Sequence, residues 1–168
     1  MLTTEQLKFY NDNGYLILDR FISDEECDLL HIRADQILDE LKDQNLEIFS
    51  TDPNGRPSDE YLIESGIKIR GFLEKDAIKD GKLIFPFHRA INKIGHAMHD
   101  LDPIFSHFSR LPQIKSLISD LGLKNPLLMQ SMYIFKQPNI GGAVDWHQDG
   151  TFLRFPVAAA TIQNQIHL

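Results

Sequence analysis

The sequence predicts an α+β fold in which a layer of helices comes first and the opening strands of a sheet follow. Two observations support this order. Amphipathic helix patterns fill most of the first three-quarters of the 168 residues, and the strand patterns concentrate after residue 127. Because no repeat, low-complexity tract or Gly/Ser linker interrupts the chain, we expect one domain over residues 1–168.

The N-terminus carries the pattern of a capped helix. Thr3 precedes Gln6 by three residues, as in a capping box, and Gly14 is placed to end the helix. The compact apolar run that follows, Tyr15 to Leu18, predicts a buried strand. A second capping pattern begins at Ser23 and predicts an amphipathic helix over residues 24–42.

The middle of the chain predicts a surface loop, a strand and a third helix. Turn-forming residues fill positions 51–58, and apolar and basic residues alternate from Gly66 to Glu74. Pro86 is suited to open a helix. An apolar stripe then recurs in steps of four and three residues: Phe87, Ile91, Ile94, Met98 and Leu101.

The last predicted elements are a helix and a strand. The helix covers residues 112–121, with Gly122 as its stop, and the strand covers residues 127–136. Together with the earlier patterns, they place the start of the main sheet late in the chain.

Composition excludes several classes of protein. A net charge of −7 argues against a protein that binds a nucleic-acid backbone, and no run of about 18 apolar residues predicts a membrane-spanning helix. The single cysteine, Cys27, cannot form an internal disulfide, and we expect it to be a small buried side chain. With no basic and apolar leader pattern at its start, the chain is expected in the cytoplasm.

A histidine and an aspartate near the C-terminus form the sharpest candidate metal site. His147 and Asp149 are two residues apart, so on an extended strand both side chains lie on one face. One imidazole and one carboxylate are two of the three ligands in the facial triad of non-haem Fe(II) enzymes. A chain with seven histidines is nevertheless expected to contain about one such pair by chance, so a solvated turn remains an alternative.

Four blocks give this pair a context. They are GYLILDRFISDEEC from Gly14, INKIGHAMHDLDPIF from Ile91, LLMQSMYIFKQP from Leu127 and GGAVDWHQDGTFL from Gly141. In this order, over about residues 5–153, they resemble the phytanoyl-CoA dioxygenase family.

The resemblance implies an Fe(II)- and 2-oxoglutarate-dependent dioxygenase on a double-stranded β-helix, the jelly roll. By similarity, His147 and Asp149 match the first two iron ligands, and Lys93 and Met132 match positions that line the 2-oxoglutarate site. The implied partners are a small-molecule substrate, 2-oxoglutarate and O₂, with ascorbate as a candidate reductant. Gln148, between the two ligands, is assigned no role.

The chain departs from the family pattern after Leu153. The family's distal histidine and following arginine are not found, and residues 154–168 form a divergent tail in which His167 is not expected to bind metal. We therefore expect an incomplete jelly roll from a truncated product, inactive or weak as a catalyst. Its open sheet edge is a candidate surface for self-association.

Two other functions stay open. One is a non-catalytic interaction or regulatory fragment of the same fold, and the other is a hydrolase that uses His147 and Asp149 with a different metal. The hydrolase is less favoured because the sequence suggests no Ser/His/Asp arrangement. Of the remaining histidines, His96 and His99 are predicted on one helix face, as part of a solvated polar stripe.

Overall fold

The computed structural model describes residues 1–49 and 58–141. Within these ranges the helices are α1 (Thr4–Asn13), α2 (Asp24–Leu41), α3 (Asp59–Ser65), α4 (Phe87–Ala90), α5 (Met98–Leu101), α6 (Pro103–Ser109) and α7 (Pro112–Asp120). The strands are β1 (Glu47–Phe49), β2 (Ile69–Glu74), β3 (Ile78–Lys79), β4 (Lys82–Leu83), β5 (Ile91–His96) and β6 (Ser131–Ile134). No helix in this part of the chain is both long and apolar enough to cross a bilayer.

The main sheet has the strand order β1-β2-β5-β6. Strand β1 runs parallel to β2, whereas β2 with β5 and β5 with β6 are antiparallel. One face of the sheet packs against α2 and α6, and buried side chains from both layers form the core there: Leu30, Ala34, Ile37, Leu38, Leu73, Ile94 and Phe105. This arrangement confirms the α+β class.

The two N-terminal helices begin and end where the capping patterns predict. Thr3 and Gln6 exchange the two hydrogen bonds of a capping box, and Gly14 ends α1 with a left-handed backbone at φ 79°. The Ser23 hydroxyl caps α2 by accepting from the Glu26 amide. The residues that form these caps lie within a few positions of each helix end, so these ends can be predicted from the sequence alone.

The predicted buried strand over Tyr15 to Leu18 is wrong. This segment is not part of a strand, and the Ile17 side chain is 74% exposed. Its apolar residues instead make local contacts, such as the edge-to-face packing of Tyr15 on Phe9 with centroids 5.3 Å apart. An apolar run becomes a strand only when a neighbouring strand accepts its hydrogen bonds.

The long helix predicted after Pro86 is also wrong. Pro86 caps the four-residue helix α4, and the chain then enters β5, which pairs with strands on both sides. Ile91 and Ile94 fit the predicted helical stripe, but β-branched side chains also favour strands. Pairing on both edges decides between the two, so the sheet starts well before residue 127.

Three of the remaining predictions are confirmed in whole or in part, and one lies mostly outside the described residues. The strand predicted from Gly66 begins at Ile69, and α7 ends before Gly122, which adopts φ 81°. Of the strand predicted over residues 127–136, Ser131 to Ile134 pair with β5. The loop predicted over residues 51–58 falls, up to residue 57, outside the described residues.

An ion pair with a buried carboxylate fastens α2 to α6, one of the helices that lie between β5 and β6 in the chain. The Arg33 Nε atom donates to Asp102 Oδ2 over 2.6 Å, and the Asp102 side chain is 1% exposed. The other carboxylate oxygen of Asp102 caps α6 by accepting from the amides of Ile104 and Phe105. This one carboxylate therefore holds two helices in place beneath the sheet.

Candidate functional site

The residues that the family resemblance predicts at the cosubstrate site lie on the face of the sheet turned away from α2 and α6. Cross-strand partners lie on one face of a sheet, and Phe72 of β2, Lys93 of β5 and Ile134 of β6 are such partners. Met132, two residues before Ile134, shares their face. Lys93 and Met132 thus meet on a single surface.

Lys93 is a buried cation. Its side chain is 6% exposed, and its Nζ atom lies 3.3 Å from the centroid of the Phe49 ring and 5.4 Å from that of Phe72. None of the described residues brings a carboxylate within 4.0 Å of this nitrogen. Burial lowers the pKa of Lys93 to about 8, because the charged form loses its hydration there.

Met132 also contacts this ammonium group. Lys93 Nζ donates to the Met132 Sδ atom over 3.6 Å. Met132 is paired with Gly95, and a Cβ atom on Gly95 would lie 3.3 Å from Met132 Cγ. The absence of a side chain on Gly95 therefore leaves the room in which Met132 reaches Lys93.

Family comparison agrees with the blocks that carry these residues. Residues 10–168 match the phytanoyl-CoA dioxygenase (PhyH) family. The chain belongs to this family. Over 153 residues it is 47% identical to phytanoyl-CoA dioxygenase domain-containing protein 1 homolog of Dictyostelium discoideum and 44% identical to phytanoyl-CoA dioxygenase of Arabidopsis thaliana. Each alignment covers 90% of this chain and 54% of the relative.

Animal relatives give the same result. Phytanoyl-CoA dioxygenase domain-containing protein 1 of Danio rerio is 41% identical over 160 residues, which cover 91% of this chain and 55% of that protein. The chain therefore spans about half the length of the curated relatives it matches.

The predicted iron ligands of this phytanoyl-CoA dioxygenase family member, His147 and Asp149, lie outside the described residues, as do Gln148 and the tail with His167. Among the residues that are described, no three His, Cys, Asp or Glu side chains are grouped so that they could hold a metal ion. The metal site stays a prediction.

His96 is a functional candidate that sequence analysis assigned to the wrong environment. It ends β5 as a buried residue and does not form part of a solvated stripe. The Ser65 hydroxyl donates its proton to the Leu62 carbonyl over 2.5 Å, and its oxygen lies 2.7 Å from His96 Nδ1. Because the hydroxyl proton is already used, the geometry favours the tautomer in which His96 Nδ1 carries a proton and donates it to Ser65. Burial, and then the charge of Lys93, lower the pKa of His96 to about 4.

His99 is likewise buried and not part of a polar stripe. Ser131 Oγ lies 2.9 Å from His99 Nδ1 and accepts from the His99 amide over 3.0 Å, while His99 Nε2 lies 3.5 Å from Asp100 Oδ2. This is a Ser/His/Asp arrangement that the sequence did not reveal. Because a backbone amide engages the hydroxyl and Arg110 binds Asp100, the group fastens β6 to α5.

The remaining singled-out side chains have ordinary surroundings. His88 contacts Asp39 over 3.2 Å and His107 contacts Glu26 over 3.7 Å, so both have partners that sequence did not suggest. Cys27 is half-buried, and burial, helped by nearby acidic residues, raises the pKa of its thiol. A raised thiol pKa does not favour a nucleophilic role.

Proposed function

We propose that this chain provides the cosubstrate-binding part of an Fe(II)- and 2-oxoglutarate-dependent dioxygenase that acts on a small molecule. The observation that carries this proposal is the buried Lys93 ammonium, which has no carboxylate partner among the described residues. A buried cation in this state is suited to an anionic ligand, and 2-oxoglutarate carries two carboxylates.

The donor set around Lys93 fits one end of 2-oxoglutarate. The ammonium can donate up to three hydrogen bonds, of which one goes to the thioether of Met132. A carboxylate on this face would compensate the buried charge, while Phe49, Phe72 and Met132 exclude water around it. Binding would raise the pKa of Lys93 from about 8, because an adjacent anion favours the charged form.

The metal would be held by His147 and Asp149, whose imidazole and carboxylate suit Fe(II). When bound, iron and 2-oxoglutarate supply the oxidising chemistry with O₂, and ascorbate is the proposed reductant. The proposed framework is a double-stranded β-helix to which the sheet β1-β2-β5-β6 contributes, in a cytoplasmic protein. The role of this chain's own residues is to bind and orient the cosubstrate.

We expect these 168 residues alone to turn over slowly at most. His167 is the one histidine after Asp149, and it lies in the divergent tail. A metal-dependent binding assay is therefore the sharper test: 2-oxoglutarate binding to the purified chain is measured by calorimetry with and without Fe(II) under argon. Fe(II) is expected to strengthen binding in the wild type but not in Asp149→Ala, with His107→Ala, an exposed histidine, as the control.

A second candidate function rests on exposed apolar side chains at β6, the outermost strand on one side of the sheet among the described residues. Leu127, Met129 and Ile134 are exposed in and before β6. Such a surface favours a non-catalytic fragment that associates with another copy or with a partner. Absence of 2-oxoglutarate binding at any Fe(II) concentration, together with concentration-dependent self-association, would support this alternative and contradict the oxygenase.

A further inference from the structure

An aromatic ring face for which the sequence suggested no role lies against the Lys93 ammonium. Phe49 is the last residue of β1, and its ring centroid lies 3.3 Å from Lys93 Nζ. The negative potential above an aromatic face attracts a cation within about 6 Å, and most strongly where water is excluded. Phe72 is also within this range, at 5.4 Å.

The Phe49 ring is held in this orientation by a second layer of rings. It meets Phe72 edge to face, with centroids 6.1 Å apart at 84°. Phe72 is fully buried and is itself fixed by Tyr61 at 5.3 Å and by His96 at 5.4 Å. Pairing of β1 with β2 sets the backbone of Phe49 opposite Glu74. The ring therefore presents a fixed face to Lys93.

An aromatic face stabilises an ammonium group in a way that a carboxylate does not. A carboxylate would neutralise the charge and compete with an incoming anion for it. A ring attracts the cation but accepts no strong hydrogen bond, so it leaves N–H groups of Lys93 available to a ligand. Among the described residues, Met132 is the one hydrogen-bond acceptor of this ammonium.

We propose that Phe49 is a positioning residue that holds the Lys93 ammonium over its ring face as a receptor for one carboxylate of a bound anion. Phe49 acts through Lys93 and does not itself touch the ligand. The identity of the anion as 2-oxoglutarate rests on the function proposed above, whereas the Phe49–Lys93 contact does not.

The experiment compares three changes at Phe49 in the full 168-residue chain. Phe49→Leu removes the ring, Phe49→Tyr keeps it, and replacement by pentafluorophenylalanine keeps the shape but reverses the potential of the ring face. Phe85→Leu is the matched control, because Phe85 is a half-buried ring with its own cation, Arg89, at 5.3 Å. The readouts are the Lys93 pKa, from NMR of ¹³C-labelled lysine, and the affinity for 2-oxoglutarate.

Phe49→Leu and the fluorinated ring are expected to lower the Lys93 pKa and to weaken 2-oxoglutarate binding about 10-fold, whereas Phe49→Tyr and Phe85→Leu leave both nearly unchanged. The fluorinated variant preserves packing, so the test does not depend on whether Phe49→Leu folds. An unchanged Lys93 pKa in the fluorinated variant overturns the proposal. If the wild type binds no 2-oxoglutarate, the proposed function fails, and the pKa comparison still decides the role of Phe49.

Discussion

The Nζ atom of Lys93 lies 3.6 Å from the Sδ atom of Met132, across the neighbouring strands β5 and β6. These residues are 39 positions apart in the sequence, and the family resemblance assigned both to the cosubstrate site. Their contact is produced by the pairing of Gly95 with Met132, which brings the two strands together without an intervening side chain. The predicted site residues that the structure describes therefore form one surface.

Lys93 is expected to destabilise the chain in the absence of a ligand. Its pKa is about 8 in the folded protein and about 10.5 when unfolded, so the unfolded state binds more protons between these values. The free energy of unfolding should therefore rise from pH 8 to about 10.5. Lys93→Met should raise it by roughly 1–3 kcal/mol at pH 7 and flatten that rise. Urea unfolding at several pH values checks this, with the exposed Lys79→Met as control.

His96 is expected to make the chain sensitive to acid. Its folded pKa of about 4 lies below the ordinary value of 6.5, so stability is greatest above pH 6.5 and falls as the pH drops towards 4. His96→Asn keeps a donor for Ser65 but does not titrate, so it should remove most of this decline. Thermal unfolding at pH 4.5 and 7.5 measures it. A decline that persists in His96→Asn and disappears in His31→Asn, at an exposed position, would contradict the assignment.

The ion pair between Arg33 and Asp102 is expected to be the costliest one to break among those that the structure describes. Asp102→Ala removes the partner of Arg33 and the cap of α6 together, so we expect a loss of about 3–5 kcal/mol of unfolding free energy. Asp12→Ala breaks the exposed pair with Lys8 and should cost less than about 1 kcal/mol. Denaturant titration of both variants gives the comparison, and equal losses would show that burial of Asp102 is unimportant.

Gly95 is expected to tolerate no side chain. A Cβ atom there would lie 3.0 Å from the Ser131 carbonyl oxygen, a backbone atom that cannot move without separating β6 from β5. Gly95→Ala should cost roughly 1–3 kcal/mol and displace Met132 from Lys93. At Gly71, the added Cβ would meet the ends of the flexible Leu46 and Leu41 side chains, so Gly71→Ala should cost less. Chemical denaturation with NMR of the Met132 methyl group distinguishes the two.

How well the fold could be predicted depended on how far apart the deciding residues lie. The Thr3 capping box and the turn at Gly122 are encoded within a few residues and were predicted. The spacing of Ile91 and Ile94 predicts a helix where β5 forms, because these residues fit both patterns. The strands that decide between helix and strand are distant in sequence. The strand predicted over Tyr15 to Leu18 is wrong for a related reason. An apolar run does not itself show whether a neighbouring strand is present to pair with it.

The same reason separates the predicted from the missed site residues. Only the family resemblance predicts Lys93 and Met132 as residues of the cosubstrate site. Without it, the sequence would favour an ordinary surface position for Lys93. Its burial follows from β5 lying in the middle of the sheet, and so does the burial of His96. No sequence pattern indicates a role for Phe49, because it is a single phenylalanine in a strand of three residues at the edge of the described sheet. Its role follows only from the position of its ring over Lys93.

The most direct test is the affinity of the chain for 2-oxoglutarate with and without the Lys93 ammonium. Calorimetric titration of the wild type, Lys93→Met and Lys79→Met at pH 7 with Fe(II) under argon measures it. We predict that Lys93→Met weakens binding roughly 10- to 100-fold, while Lys79→Met binds as the wild type does. Equal affinity in Lys93→Met and the wild type would contradict the assignment of this sheet face as the cosubstrate site.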